Sequence, residues 1–577
     1  MRQASFMIAL AAALLIGWLG FRGAKDRYGE ERGADQEVAG ASERGDGFAQ
    51  FGRERFAVVA RGMRLSPEAD GIPEITDGGR LPLWATAEIR LHARSTHPDP
   101  FGVELEAVFE GPGGRTLVVP GFYDGDGMGG GDGNVWKVRF FLDRPGVWTY
   151  RTRGTGDPGL DGRSGRILVT EAPPHETGPL ELSPSRPWFR YRATGEYAYL
   201  QAKFLDQSWN WVDGPDAFRF NTTHVYLSDD ITDLARAEIL LAQHAYGNRR
   251  MNVYLANVGD YGGGRVLPWP GPDTAPDYMR FDLARMHRWD TWLRAVTDAG
   301  IYLHLWFLAD DSNGTLGVPS PLTEEAFKRL IRYAVARWGG YGKILWCLSL
   351  EFDENNPDPA VWNRLGEYLK EIDPYGHPRS IHGTSRFDYS RSTWHDHLIF
   401  QLGFGKGHEH VYRTILEWRG DSRLPVFAEE FALGSGSRSE RQELWAAFMA
   451  GATAGTGSYV AQLNRFLGRT GFYRLDVRID LKSGDSPAYV LAAPGEEYLV
   501  YLPEGGSVRL QLEVGDRGLD VEWYDPARGV SIDGGRITVG GELEFSPPRD
   551  PDNDWVLHIG GPPERWTRTA PRRRRRW

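Results

Sequence analysis

A single cysteine, Cys347, among 577 residues leaves nothing to cross-link within the chain, so no internal disulfide framework can hold this fold. Lying inside a predicted buried strand, it reads as a small core hydrophobe. Other signatures are missing too. Between residues 197 and 466 no Gly-x-Gly-x-x-Gly opens a helix, which argues against a dinucleotide fold. There is no Gly-x-Ser-x-Gly elbow and no His-Glu-x-x-His, so peptidase chemistry of those kinds has no support. No His, Cys and Asp cluster has metal-ligand spacing, and neither a catalytic metal nor an organic cofactor is expected. Basic charge is short: 67 Lys and Arg against 78 Asp and Glu give a net charge of −11, which argues against a nucleic-acid footprint. No internal repeat of fixed period is visible.

What is present is a long, globular, aromatic-rich chain. At this length two to four domains are expected. Aromatic residues make up 12% of it, enough to stack on sugar rings or to fill sandwich cores. Arg2 followed by an apolar stretch over 6–21 has the form of an export signal or an N-terminal anchor, assigned to 1–24. No Ala-x-Ala site is evident, and no cysteine follows as a lipoprotein would need. Residues 25–80 read as a linker, and 563–577, with five arginines at 572–576, as a basic tail.

Short alternating runs separated by Gly, Pro and Asp over 81–175 predict a β-sandwich, and the same pattern over 471–562 predicts a second, smaller one. The Asp/Gly-rich stretch 124–133 lacks the later glutamate of a calcium loop and reads as a hairpin turn. Between them, over 176–470, apolar strand-like runs alternate with helical patterns. Strands are expected at 197–204, 250–256, 301–308, 344–350, 379–382, 398–402, 425–428 and 458–462. Helices are expected at 230–244, 283–298, 323–338, 359–372 and 439–452. Eight such strands over this length predict a (β/α)8 TIM barrel flanked by the two sandwiches.

Two of the runs end on glutamate. Ile344 to Leu350 leads into Glu351, and Pro425 to Ala428 leads into Glu429 and Glu430. Carboxylates at the C-terminal ends of parallel barrel strands lie where such folds keep their chemistry. Counted along the chain, Glu351 ends strand four and Glu430 strand seven, across the mouth from each other. At about 5 Å, such a pair can cleave a glycosidic bond by double displacement. Glu351 would be the acid/base, its pKa raised by burial, and Glu430 the ionised nucleophile. Asp353 and Glu354 compete for the acid role. Strand alternation turns Glu429 the other way.

The segments Trp346-Cys347-Leu348-Ser349-Leu350-Glu351-Phe352-Asp353 and Pro425-Val426-Phe427-Ala428-Glu429-Glu430-Phe431-Ala432 resemble the strand-four and strand-seven endings of clan-A retaining glycoside hydrolases. That resemblance implies Glu351 as acid/base and selects Glu430 over Glu429 as nucleophile. It also implies that an arginine entering strand two, Arg249 or Arg250, orients the nucleophile. One departure stands out: the family's Asn before the acid/base, which binds the sugar 2-hydroxyl, is Leu350 here. Val119-Pro120-Gly121-Phe122-Tyr123-Asp124-Gly125 resembles the N-terminal sandwich of the domain-of-unknown-function 5060 type. Tyr498-Leu499-Val500-Tyr501-Leu502-Pro503 resembles the "putative collagen-binding" β-domain that follows such barrels.

Further candidates at the barrel mouth, able to hydrogen-bond or stack on a carbohydrate, are Asn257, Trp269, His304, Trp306, His382, Gln401 and Arg250. The expectation is an exported retaining glycosidase acting on a polysaccharide or oligosaccharide. The alternative is a non-catalytic carbohydrate-binding or cell-surface protein with a degenerate barrel, for which Leu350 is the main support.

Overall fold

A computed structural model describes residues 71–200, 220–221, 224–226, 249–256, 267–272, 275–308, 322–389, 392–431, 437–454 and 459–560. The N-terminal apolar stretch, most of the expected linker, the helix expected at 230–244 and the arginine tail lie outside them. Among the described residues no helix is long and apolar enough to cross a membrane.

The first module is a pair of packed sheets. Strands β1 (Gly79–Pro82), β3 (Glu106–Gly111), β4 (Arg115–Pro120), β7 (Gly146–Arg153) and β8 (Ser164–Thr170) form one, in the order β1-β8-β7-β3-β4. Strands β2 (Ala87–His92), β5 (Phe122–Tyr123) and β6 (Val135–Phe140) form the other. In β7 every second residue from Trp148 is buried, as half-buried strands require. The folded chain begins before residue 81: Ile75 is buried and Gly79 is already in β1. The partner of β1 is β8, far along the chain, which no local pattern reveals.

A small antiparallel sheet follows, of β9 (Leu180–Leu182), β10 (Phe189–Tyr191) and β11 (Tyr197–Ala198). Of the strand expected at 197–204, residues 201–204 lie outside the described residues, and Tyr197 and Ala198 pair antiparallel with β10. Next, β12 (Phe220–Asn221) pairs antiparallel with β13 (His224–Tyr226). From β13 the sheet runs parallel through β14 (Arg250–Tyr254), β15 (Tyr302–Trp306), β16 (Ile344–Cys347) and β17 (Arg379–Ser380). A second parallel sheet holds β18 (Leu398–Gln401), β19 (Val426–Glu429) and β20 (Thr453–Ala454). Five strands, β13 to β17, run parallel in the one sheet and three, β18 to β20, in the other; in chain order β16 is the fourth of them and β19 the seventh. Among the described residues no ladder joins β17 to β18 or β20 to β13. The eighth in chain order is β20; of the strand expected at 458–462, residue 458 lies outside the described residues and Val460 opens a helix.

The described residues hold seven α-helices: α1 (Leu283–Asp298), α2 (Glu324–Trp338), α3 (Phe352–Asn355), α4 (Pro359–Ile372), α5 (His408–Arg419), α6 (Arg438–Met449) and α7 (Val460–Leu467). Their starts are written in the sequence. Asp282, Thr323, Asp358 and Ser437 each accept a backbone N–H at the N-cap of α1, α2, α4 and α6. Both faces of the parallel strands are covered. Outward residues Val253, Leu303, Leu305 and Trp346 join one core with Leu330 and Ile331 of α2. Leu398, Phe400, Val426 and Ala428 join another with α5 and α6. Inward residues from both sheets, among them Tyr254, Trp306, Leu345, Cys347, Ile399 and Phe427, form a single cluster with Leu180, Phe189 and Ala198 of the small sheet. The two parallel sheets thus face one shared interior.

The last module packs the six-stranded sheet β21-β23-β24-β29-β26-β27 on the three-stranded sheet β22-β25-β28. Its strands are β21 (Asp476–Val477), β22 (Lys482–Ser483), β23 (Tyr489–Ala493), β24 (Glu497–Leu502), β25 (Val508–Leu512), β26 (Leu519–Asp525), β27 (Val530–Ile537), β28 (Gly541–Phe545) and β29 (Trp555–Gly560).

Candidate active site

The two glutamates at the strand ends come together through one amide. Gln401, the last residue of β18, donates from Nε2 to Glu351 Oε1 at 2.8 Å and to Glu430 Oε2 at 2.8 Å. An amide nitrogen carries two hydrogens, and each is directed to one carboxylate. Two bonds of 2.8 Å from one atom bound the separation of those carboxylate oxygens at 5.6 Å. Glu351 is buried, and Glu430 is half-buried.

Both residues have left-handed backbone, with φ of 43° at Glu351 and 52° at Glu430. Glutamate gains nothing from that conformation, and each instance costs about 1–3 kcal/mol. Five non-glycine residues among those described have positive φ, and two of them are this pair. At Glu351 the turn leads from β16 into the short helix α3. Asn355 ties that turn together, donating from Nδ2 to Ser349 Oγ at 2.9 Å and to the Leu350 carbonyl at 3.0 Å. Glu351 itself donates its backbone N–H to His382 Nδ1 at 3.2 Å. Burial holds the His382 imidazole neutral, its pKa pushed down to about 3.

Beside Glu430 in sequence is a third carboxylate, with its own cation. Glu429 Oε1 accepts from Arg250 Nη2, and both side chains are closed to solvent. Burial raises the pKa of Glu429, and Arg250 opposes that shift. Arg250 also donates through Nε to the Leu200 carbonyl at 3.1 Å and through Nη1 to Asn252 Oδ1 at 2.5 Å. His304 Nδ1 lies 3.2 Å from Arg250 Nη1, and burial followed by that cation keeps the ring neutral. Trp306 packs between His304 and His382, with ring centroids 5.1 Å from each.

Of the residues expected at the mouth, Glu351, Glu430, Gln401 and His382 are therefore brought into direct contact. Arg250 is in the interior but holds Glu429, not Glu430. His304 and Trp306 are fully buried. Trp269 is elsewhere: 1% exposed and edge-on to Tyr278, it belongs to the core around Phe281 and Leu283, so it offers no face to a sugar. Asn257 lies outside the described residues. Asp353 has a different task, accepting from the backbone N–H and hydroxyl groups of Thr384 and Ser385 at 2.6–3.0 Å. Those bonds outweigh its partial burial and hold its pKa below the ordinary value. Leu350 turns into the apolar interior cluster with Trp306 and Cys347.

Two features escaped the sequence reading. Asn355 lies just past the strand-four segment, at the end of α3, and only the left-handed turn gives its amide a purpose. Phe404, three residues past Gln401, is 42% exposed and is the single aromatic among the exposed large hydrophobic side chains of the described residues. It stands on a loop flanked by Gly403, Gly405 and Gly407, all at positive φ. That alternation of glycines was the available signal.

Residues 80–155 match a family model described as a domain of unknown function (DUF5060). Residues 252–459 match an apiosidase-like catalytic domain, and 478–559 a putative collagen-binding domain of a collagenase. No match is found among curated protein sequences. A putative glycoside hydrolase from Bacteroides vulgatus superposes with a TM-score of 0.64 at 17% identity, covering 84% of this chain and 99% of its own. A family 5 glycoside hydrolase from the same organism gives a TM-score of 0.50 at 14% identity, covering 67% of this chain and 93% of its own. At these identities the likeness is one of fold. The chain thus carries, in order, regions similar to the DUF5060, apiosidase-like and putative collagen-binding family models, in a fold like that of the glycoside hydrolase neighbours.

Proposed function

We propose that the protein is an exported retaining glycoside hydrolase that cleaves an O-glycosidic bond of a polysaccharide or oligosaccharide. The observation that carries this reading is the Gln401 bridge, which keeps two strand-end carboxylates within 5.6 Å. Retaining glycosidases hold their carboxyl groups about 5–5.5 Å apart, whereas inverting ones leave about 6.5–9.5 Å for a water. The apiosidase-like match and the fold of the glycoside hydrolase neighbours point the same way. In this reading the two parallel sheets are arcs of one (β/α)8 barrel, and the pair ends its fourth and seventh strands.

Glu351 starts protonated and gives its proton to the glycosidic oxygen as that bond breaks. Glu430 attacks the anomeric carbon, forming a glycosyl ester and releasing the leaving sugar. Glu351, now a carboxylate, takes a proton from water, which displaces Glu430 and restores both groups. Gln401 keeps the two carboxyl groups aimed at one bond through both steps. His382 fixes the Glu351 backbone without adding charge.

Glu351→Gln and Glu430→Gln are each expected to abolish turnover, by ~10⁴-fold or more, with the melting temperature unchanged; reducing-end release from a glycan panel measures it. A wild-type rate in either variant rejects the assignment. The non-catalytic reading is favoured by Leu350, whose side chain offers a sugar no hydrogen bond. It predicts glycan binding with no release of reducing ends from any glycan bound.

A further inference from the structure

Phe427 and Glu429 point into the interior, as alternate residues of β19 must. By the same alternation Glu430 would point away from it. Instead its carboxylate reaches Gln401, which is paired with Glu429 across β18 and β19. Two successive side chains serve the same side of the sheet only if the backbone between them reverses, and the φ of 52° at Glu430 is that reversal. A glutamate needs outside constraint to stay there. On one side the constraint is the Gln401 bond. On the other it is Glu429, fixed to Arg250, which is itself tied to Leu200 and Asn252 and stacked 4.2 Å over the Phe427 ring.

We propose that Glu429 is a positioning residue: clamped to Arg250, it sets the last interior point of β19 and forces the left-handed backbone that turns Glu430 towards Gln401 and Glu351. The inference rests on the reading of Glu430 as the nucleophile. It differs from direct contact between an arginine and the nucleophile, because here the cation acts through the preceding residue. Tandem glutamates then have separate tasks, one buried and structural, one facing the substrate.

Crystal structures of Glu429→Gln and of the double variant Glu429→Leu/Arg250→Leu, with labelling by a panel of cyclophellitol-type epoxides, test it. The double variant removes both charges, so it remains foldable if the single one leaves Arg250 too costly to bury. The expected result is loss of positive φ at residue 430, loss of the Gln401–Glu430 bond, and labelling of Glu430 slowed ~10²-fold or more in each variant that folds. The double variant should melt near the wild-type temperature yet still label slowly, which a purely stabilising ion pair would not produce. Residue 430 retaining its φ near 50°, with wild-type labelling, overturns the proposal. A label found on Glu429 also overturns it, since that residue would then be the nucleophile. The backbone at residue 430 decides the positioning claim by itself, whereas labelling that survives in Glu430→Gln rejects only the functional reading.

Discussion

At the scale of single residues Gln401 links the two glutamates. Its amide contacts both carboxylates, so replacing it removes two hydrogen bonds to charged or reacting groups at once. Gln401→Leu is expected to lower kcat/KM by ~10²-fold with little change in stability, since an oriented donor at a reacting centre typically contributes that much. Steady-state kinetics beside thermal unfolding check it; an unchanged kcat/KM would mean the bridge does no positioning. The two glutamates were legible because each ends an apolar run, a pattern readable within eight residues. Gln401 was legible only as one polar strand end among several, since its double contact exists only once strands from two sheets meet. Trp269 was misread because a tryptophan in a Gly/Pro-rich loop looks the same in sequence whether it faces solvent or, as here, the core.

Loops and helices carry the next level. The loop after β18 is pinned at both ends: Leu402 donates its N–H to the Glu429 carbonyl at 3.2 Å, and Gly407 donates to Glu443 at 2.9 Å. Between those points Phe404 is exposed, three residues past Gln401, and if the proposed function holds such an aromatic is suited to stack on a sugar ring. Phe404→Ala is expected to raise KM several-fold on oligosaccharides while leaving the rate on single-sugar aryl glycosides unchanged. Equal effects on both substrate types would remove it from the binding surface. Helix extents were well marked by caps and periodicity, with 283–298 and 359–372 read to the residue. The eighth strand was missed for the same reason that helices are easy: Leu463, Phe466 and Leu467 continue a helical spacing that a window ending at 462 cuts off. The true strand, β20, is two residues long and has no periodicity to detect.

At the scale of the whole molecule, buried charges join the first module to the central one. Asp124 accepts from Arg337 at 2.8 Å and from Lys137 at 2.7 Å, and Asp290 binds both Arg139 and Arg337. Burial raises both carboxyl pKa values, but the facing cations outweigh it and hold both far below 3.8. A depressed carboxylate stabilises the fold fully above its unfolded value and loses that contribution as pH falls through the folded one. The melting temperature should therefore be level on this account above about pH 5 and decline below about pH 4. Asp124→Asn leaves Arg337 and Lys137 short of a counter-charge, and should cost about 3–5 kcal/mol and flatten part of that acid limb. Denaturant titrations across pH measure both; an acid limb identical to wild type would show that Asp124 does not contribute. No local pattern marks such a network, because its members come from β6, α1, α2 and the turn after β5.

The most direct measurement is peptide mapping after trapping with cyclophellitol-type probes of several sugar configurations. The account predicts one covalent adduct, on Glu430, absent from Glu430→Gln and unaffected by Asp353→Asn. An adduct on any other carboxylate would contradict it.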